Sequence, residues 1–202
     1  MTTAIVLTVD QRGSRHSADR IPDALSRLAP LPTLLAFERT AGDEFQGVLD
    51  DPDAAAAAIG ELLREDAWYV GVGVGTVEEP LPDHARAGRG PAYLQARTAV
   101  SEAKTSPWHV RVLADHAPAP WAGRALETTL WLWAAVLARR TSRGWEVADL
   151  VAQGMSYADA GHRLGISQSA VSQRAQAAGI VEARRAEELA AVLARTLLEE
   201  DR

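Results

Sequence analysis

The sequence lacks several features that would place it in a familiar class of protein. It has no cysteine, which excludes a disulfide framework and any metal site built from thiolates. It has one lysine, Lys104, so arginine supplies nearly all the other positive charge. No apolar run reaches membrane-spanning length, because Arg139 and Arg140 end the run that starts at Trp131. The N-terminus has neither the basic region nor the cleavage site of a signal peptide, so we expect a cytoplasmic protein without a membrane partner.

Charge and composition narrow the remaining classes. The net charge of −6 argues against non-specific nucleic-acid binding by the whole chain. A small DNA-reading module inside an acidic chain remains compatible with that charge. Hydrophobic residues make up 47% of the sequence, which is enough apolar material for one large domain or two small ones.

The apolar pattern of residues 1–115 predicts strand, helix, two strands, helix, strand, helix and strand. The first strand runs from Ala4 to Val9 and ends at Asp10, and the last runs from His109 to Leu113. This order predicts an α+β sandwich with helices on one face of an antiparallel sheet. It is also the order of the ferredoxin-like palm fold of nucleotide cyclases and polymerases.

A hairpin with Gly42-Asp43 at its tip is predicted between two apolar segments. The adjacent carboxylates of Asp43 and Glu44 are costly to place on a rigid tip without a counter-charge, which a divalent cation would supply. The alternative is a solvated turn, since aspartate and glycine are ordinary turn residues.

The connection after the first strand is a candidate phosphate site. Gln11-Arg12-Gly13-Ser14-Arg15 leads from that strand into a helix, and backbone N–H groups at such a junction hold phosphate well. A simple connection is the alternative. The second helix is predicted to start at Asp51-Pro52-Asp53 with Asp53 as its N-cap. The alternating glycines of the strand from Tyr69 to Gly75 allow either a helix or a ligand to approach closely.

The remaining chain divides into a connecting part, residues 116–144, and a C-terminal unit, residues 145–202. The connecting part holds a linker and a long Trp-rich helix, Trp121 to Arg140, whose aromatic stripe predicts a core or a dimer seam. In the C-terminal unit, the turn Gly165-Ile166-Ser167 separates two helices in the pattern of a helix-turn-helix. A generic helical hairpin is the alternative.

The predicted all-α helix-turn-helix domain offers a set of DNA-contacting side chains. The residues expected to meet base edges or phosphates are Arg163, Ser167, Gln168, Ser169, Ser172, Gln173, Arg174 and Gln176, with Arg184 and Arg185 as further phosphate contacts. The amphipathic helix from Ala183 to Leu198 closes the chain, and we predict that it forms a dimer contact. Double-stranded DNA and a second copy of the chain are thus the expected partners.

Three stretches together resemble the SatD family of bacterial proteins, over nearly the whole chain. They are Val9-Asp10-Gln11-Arg12-Gly13-Ser14-Arg15, Gly42-Asp43-Glu44-Phe45-Gln46-Gly47 and Gly88-Arg89-Gly90-Pro91-Ala92-Tyr93-Leu94-Gln95-Ala96-Arg97.

Residues 4–113 are more distantly similar to class III nucleotide cyclases and GGDEF domains. That resemblance implies a divalent metal site, with Mg²⁺ or Mn²⁺ on Asp10, Asp43 and Glu44. It also places Arg39 where cyclases carry a base-contacting lysine. Together with the stretch predicted to hold phosphate, the expected nucleotide-binding residues are Gln11, Arg12, Gly13, Ser14, Arg15 and Arg39. Arg97 falls on the cyclase arginine that stabilises the transferring phosphate, and it would be catalytic only in an enzyme.

The chain also departs from the cyclase pattern. Tyr93 replaces the asparagine one turn before the arginine, and Gly90 stands where many cyclases carry a base-selecting aspartate. No lysine is matched to the triphosphate contact. Three hypotheses follow: a transcription regulator that senses a nucleotide with a divalent metal, an active cyclase or nucleotidyltransferase, and a vestigial palm domain that serves only as a dimer platform.

Overall fold

The computed structural model describes residues 2–115 and 120–199, and their element order matches the predicted one. The first part contains five strands and three α-helices, and the second part contains five α-helices. The elements are β1 Thr2–Gln11, α1 Ile21–Leu28, β2 Leu35–Ala41, β3 Glu44–Leu49, α2 Pro52–Leu63, β4 Trp68–Val77, α3 Pro91–Ala103, β5 Val110–Ala114, α4 Pro120–Leu137, α5 Ser142–Ala152, α6 Tyr157–Leu164, α7 Gln168–Ala177 and α8 Ile180–Leu198. The α+β class is confirmed, and none of the described helices is long and apolar enough to cross a membrane.

The sheet has the strand order β2-β3-β1-β4-β5. Neighbouring strands are antiparallel except β4 and β5, which are parallel. The expectation of a wholly antiparallel sheet was therefore wrong at this edge. A parallel neighbour requires a crossover connection, and α3 provides it between β4 and β5.

Helices cover both faces of the sheet, so the prediction of helices on a single face was also wrong. On one face α3 packs Ala92 and Ala96 against Ala4 and Val6 of β1. On the other face α1, α2, α4 and α8 share a larger core with Ile5, Leu7 and Val9 of β1. Because β1 is covered on both sides, its residues 4–9 are all buried, which explains the uninterrupted apolar run in the sequence.

Two glycines of β4 let the α3 backbone lie directly on the sheet. A Cβ atom on Gly71 would stand 2.3 Å from the amide nitrogen of Val100, and one on Gly73 would stand 2.2 Å from the carbonyl oxygen of Ala92. The alternating glycines thus make room for a helix, which decides between the two alternatives left open by the sequence.

The C-terminal helix α8 belongs to the same core as the sheet. Its Ala190, Leu193 and Leu197 are buried among side chains of α2, α4 and the strands. This side of the helix is therefore occupied within the chain, whereas Val181, Leu189 and Val192 of the same helix are exposed, and the dimer contact stays a prediction. Helices α5, α6 and α7 form a separate small core around Val147 and Val171.

The prediction for the N-cap of the second helix was wrong by two residues. Asp51, and not Asp53, caps α2, because its carboxylate accepts from the N–H groups of Asp53 and Ala54 at 2.8 and 3.2 Å.

Helix α4 buries Trp133 against Gly60, so its aromatic stripe is core. The predicted linker includes residues 116–119, which lie outside the described residues.

The close contact between α3 and β4 makes a prediction about stability. Gly73→Ala should destabilise the protein by about 2–3 kcal/mol, because the new methyl group meets helix backbone that can yield only by moving α3. Gly75→Ala is the matched control in the same strand, since its Cβ has 3.2 Å to the nearest atom and should cost less than about 1 kcal/mol. Urea unfolding of the two variants measures the difference, and equal losses would contradict the packing described here.

Candidate functional site

Two of the predicted metal ligands lie at one end of the sheet. Asp10 is near the end of β1, where it pairs with Glu44 on β3 and Tyr69 on β4. Asp43 sits at the tip of the β2–β3 hairpin, and its carbonyl oxygen accepts from the N–H of Gln11 at 2.9 Å. This backbone bond ties the hairpin tip to the end of β1, so residues far apart in sequence converge.

The counter-charge at this end of the sheet is the ammonium group of Lys104. Its Nζ lies 2.8 Å from Oδ2 of Asp10. The hydrogen bond to Asp10 raises the pKa of Lys104, with further contributions from the charges of Asp10, Asp43 and Tyr69. Both carboxylates therefore interact with one cation at the C-terminal end of α3. We call Asp10, Asp43 and Lys104 the acidic cluster.

Sequence reasoning missed Lys104 as part of this site. Its one signal in the sequence is that it is the only lysine of the chain. The residue lies just after α3, and only the packing of that helix on β4 brings it to the end of β1.

Ser14 and Arg15 of the predicted phosphate loop face Asp43. The Ser14 hydroxyl donates to Oδ2 of Asp43, and this bond lowers the pKa of that carboxyl, with smaller contributions from the charges of Lys104 and Arg15. Gly13 adopts a left-handed conformation with φ of +64°, and its carbonyl accepts from the N–H of His16 at 2.9 Å. This turn holds Ser14 against the hairpin tip.

Glu44 points its carboxylate to a different partner. Its Oε1 accepts from the Thr40 hydroxyl at 2.8 Å, although its backbone pairs with Asp10 across the sheet. Within the described ranges there is no group of three or more His, Asp or Glu side chains arranged to hold a metal ion. The geometry thus offers two carboxylates and a hydroxyl group, with Glu44 engaged elsewhere.

Gln11 has a structural role in the loop that follows β1. Its side chain is buried, and it fixes three groups of residues 17–20. The amide nitrogen donates to the Ser17 hydroxyl at 3.0 Å and to the Ala18 carbonyl at 2.7 Å, and the amide oxygen accepts from the Arg20 N–H at 2.9 Å. All three contacts hold the loop against the sheet.

Arg12 and Arg39 are engaged by carboxylates of the chain itself. Arg12 pairs with Asp66, and Arg39 pairs with Asp19. Arg97 is exposed on α3, two turns before Lys104 and on the same side of the helix. No hydrogen bond or ion pair joins its guanidinium to any residue in the described part of the chain. The structure therefore brings Asp10, Asp43 and Ser14 together but does not add these three arginines to them.

A second candidate site lies on α6, α7 and the turn between them. Gly165 ends α6 in a left-handed conformation, with φ of +65°. Ser167 caps α7 by accepting from the Ala170 N–H at 3.2 Å. Ala160 of α6 and Val171 of α7 are buried against each other's helices in the small core.

The solvent side of α7 is polar and carries most of the predicted DNA contacts. Arg174 is half-buried. The exposed side chains of α7 and its N-cap are Ser167, Gln168, Ser169, Ser172, Gln173 and Gln176, and we call them the α7 face. Arg163 of α6 is also exposed. Residues 160–181 contain no aspartate or glutamate, although the whole chain has net charge −6. Arg184 and Arg185 are exposed on α8, where Arg184 pairs with Glu188 at 3.5 Å.

The bond between Ser14 and Asp43 makes a prediction about pH. Ser14→Ala should raise the pKa of Asp43 towards its ordinary value of about 3.9, whereas Ser14→Thr keeps the hydroxyl and should preserve the low value. A lowered folded-state pKa contributes stability that is present above the unfolded pKa and is lost as the pH falls through the folded value. The wild type should therefore exceed Ser14→Ala in stability at pH 7, and the difference should shrink as the pH falls through the lowered pKa of Asp43.

Carboxyl-carbon NMR titration of Asp43, together with urea unfolding at pH 7 and pH 3, measures both quantities. Ser101→Ala is the control, because it removes an exposed hydroxyl that bonds only to its own helix. An Asp43 pKa that is the same in the wild type and in Ser14→Ala would contradict this description.

Comparisons of the chain with models of protein families, with curated proteins and with solved structures find no match. The acidic cluster and the α7 face are therefore the features on which a functional proposal can rest.

Proposed function

We propose that this chain is a DNA-binding transcription regulator whose palm-like sheet domain binds a nucleotide with Mg²⁺ or Mn²⁺. The observation that carries the proposal is the α7 face. It is an exposed row of amides and hydroxyls on a capped helix, inside a segment without acidic side chains.

The chemistry of the α7 face suits the major groove of DNA. Gln side chains can bond both edge atoms of adenine, and Ser hydroxyls can bond either donors or acceptors. Arg163 lies on α6 beside this face and would contact a phosphate. In the proposed arrangement α6 and α7 form a helix-turn-helix, and α7 is the recognition helix. A homodimer would present two such helices to two half-sites.

The acidic cluster supports the nucleotide part of the proposal. Asp10, Asp43 and the Ser14 hydroxyl offer the oxygen ligands that Mg²⁺ prefers, so the donor set fits a divalent ion. Such an ion would neutralise both carboxylates and would polarise a bound phosphate. Lys104, released from Asp10, would then bind a phosphate oxygen of the nucleotide. The strand order and directions of β1 to β4, all antiparallel, support the palm-like assignment.

The two alternative functions find less support in the geometry. An active cyclase or nucleotidyltransferase needs a cation on the transferring phosphate, and Arg97 has no contact with the acidic cluster within the chain. A vestigial platform would need no metal response at all. The metal experiment below distinguishes that alternative from the sensor.

DNA binding is tested by selecting duplexes from a random-sequence pool with the full chain. The wild type should enrich a defined site. Gln173→Ala should weaken binding to that site about 5- to 150-fold and leave non-specific binding unchanged, because a bidentate contact to a base is lost. Arg163→Gln should weaken binding to all sequences and should reduce the slope of log K against log salt by about 1.

Gln153→Ala, an exposed glutamine after α5, is the matched control and should bind like the wild type. A pool without any enriched sequence would refute the DNA-binding part of the proposal. A Gln173→Ala variant that binds the selected site as tightly as the wild type would remove α7 from the interface.

The metal site is tested by thermal unfolding of Lys104→Met with and without MgCl₂. Removal of the ammonium leaves two neighbouring carboxylates uncompensated, so the variant should be less stable than the wild type by under about 1 kcal/mol. Saturating Mg²⁺ should restore this loss, since an ion that binds only the folded state stabilises it. The double variant Lys104→Met, Asp43→Asn should not respond.

Arg195→Met is the matched control, because it removes an exposed ion pair with Asp53 that belongs to no carboxylate cluster. Mg²⁺ should shift the melting temperature of Arg195→Met by the same amount as that of the wild type. If Lys104→Met shows no larger shift than this, the metal part of the proposal fails while the DNA part stands.

A further inference from the structure

A cavity of about 630 Å³ lies between one end of the sheet and the junction of α4 and α5. Its lining includes Trp68 of β4, Val110 of β5 and Arg140. The volume is within the range of small-molecule sites. Trp68 and Asp10 project from opposite faces of the sheet, because Tyr69 is the residue paired with Asp10 and Trp68 is its neighbour. The cavity is therefore separate from the acidic cluster.

We propose that this cavity binds a small planar aromatic anion, that is, a ring that carries a carboxylate, sulfonate or phosphate. The inference does not rest on the proposed DNA or nucleotide binding, since it uses other residues on the other face of the sheet.

The walls of the cavity are suited to an aromatic ring. Trp68, Trp108 and Trp145 all line it. Trp68 is only 3% exposed, while Trp108 is 45% exposed at the rim. The guanidinium groups of Arg64 and Arg140 already stack on the Trp145 ring, 4.3 and 4.6 Å from its centroid. A ligand ring would therefore pack against Trp108 at the rim and gain both apolar burial and ring–ring contacts there.

The rim of the cavity is conformationally strained. Trp108 and His109 are consecutive non-glycine residues with positive φ, 55° and 58°. They are the only such residues in the described ranges, and both line the cavity. Non-glycine residues in this region are costly and are concentrated at ligand sites and switch regions.

Arg140 gives the cavity its preference for an anion. Its guanidinium donates to the carbonyl oxygens of Ala178 at 2.7 Å and Gly179 at 3.4 Å, and no carboxylate of residues 2–115 or 120–199 forms an ion pair with it. Burial lowers the pKa of Arg140, the nearby charge of Arg64 lowers it further, and the charge of Asp149, which is paired with Arg64, partly offsets both. A half-buried cation without an anionic partner favours binding of an external anion.

The other charged groups of the lining are already paired within the chain. Arg64 bonds both carboxylate oxygens of Asp149, at 2.9 and 3.2 Å. Glu65 pairs with Arg20 and Arg27 at 3.3 and 3.2 Å, and Asp66 pairs with Arg12. The acidic side chains at the rim therefore leave Arg140 available.

Two polar atoms of the lining residues have no hydrogen-bond partner in the part of the chain that the structure describes. The indole nitrogen of Trp68 and Nδ1 of His109 are both buried, and neither has a hydrogen-bond partner among the described residues. Buried polar atoms of this kind are few in native proteins, and they call for a bound group or water.

The binding test uses 1-anilinonaphthalene-8-sulfonate, an aromatic anion whose fluorescence reports its surroundings, and the neutral analogue N-phenyl-1-naphthylamine. The wild-type chain should bind the sulfonate saturably at one site. Arg140→Gln should weaken that binding about 10- to 100-fold, because a charge-assisted contact is lost, and should leave the neutral analogue nearly unaffected. Circular dichroism checks that each variant is folded.

Trp108→Gly is the second variant, and it removes an aromatic wall at a position whose backbone favours glycine. It should weaken both probes about 3- to 10-fold. Leu132→Gln is the control for adventitious binding, since Leu132 is 66% exposed on α4 and does not line the cavity. Non-saturable binding, binding abolished by Leu132→Gln, or binding unchanged by both cavity variants would overturn the proposal.

Discussion

The fold depends on the contact between the α3 backbone and the bare face of β4. Two missing side chains, at Gly71 and Gly73, let the helix axis come close enough for its own backbone to meet the strand. That approach sets the positions of Lys104 and β5, which follow α3 directly. It places Lys104 beside Asp10, and it directs the chain back into a strand parallel to β4. The acidic cluster is thus a product of helix-to-sheet packing, with the hairpin tip as its second support.

The second feature that organises the fold is the packing of the C-terminal helix α8 on the sheet formed by the N-terminal half of the chain. Helix α8 covers the sheet face opposite α3, between α2 and α4. The small core of α5 to α7 is therefore held between two helices, α4 and α8, that are both fixed on the sheet. Arg140 strengthens this attachment by donating to the carbonyls where α7 passes into α8.

Local sequence patterns were sufficient for the elements and insufficient for their partners. The apolar run from Ala4 to Val9 marked the first strand, and Gly165 marked the end of α6. The parallel direction of β5 was not predictable in this way, because relative strand direction depends on the connection and not on composition. The stripe of α8 showed that one face is buried, but it carried no information about what buries it.

For the candidate site, too, some residues were predicted from the sequence while their interaction partners were not. Asp10 and Asp43 were predicted as a pair by the resemblance to nucleotide cyclases, and Asp43 also by its place at the hairpin tip. The partners of Arg12 and Arg39 were not, since Asp66 and Asp19 reach them through loop packing that has no local signature. Lys104 was missed because its proximity to Asp10 depends on how closely α3 packs on β4, and residue spacing in the sequence does not reveal that distance.

The position of α8 bears on how the polypeptide acquires its structure during synthesis. The apolar side of the sheet that this helix covers stays incomplete until Ile180–Leu198 has left the ribosome, so the sheet cannot finish its core before α8 emerges. Nascent chains halted before that point would present an open apolar surface, which is the kind of surface that chaperones bind.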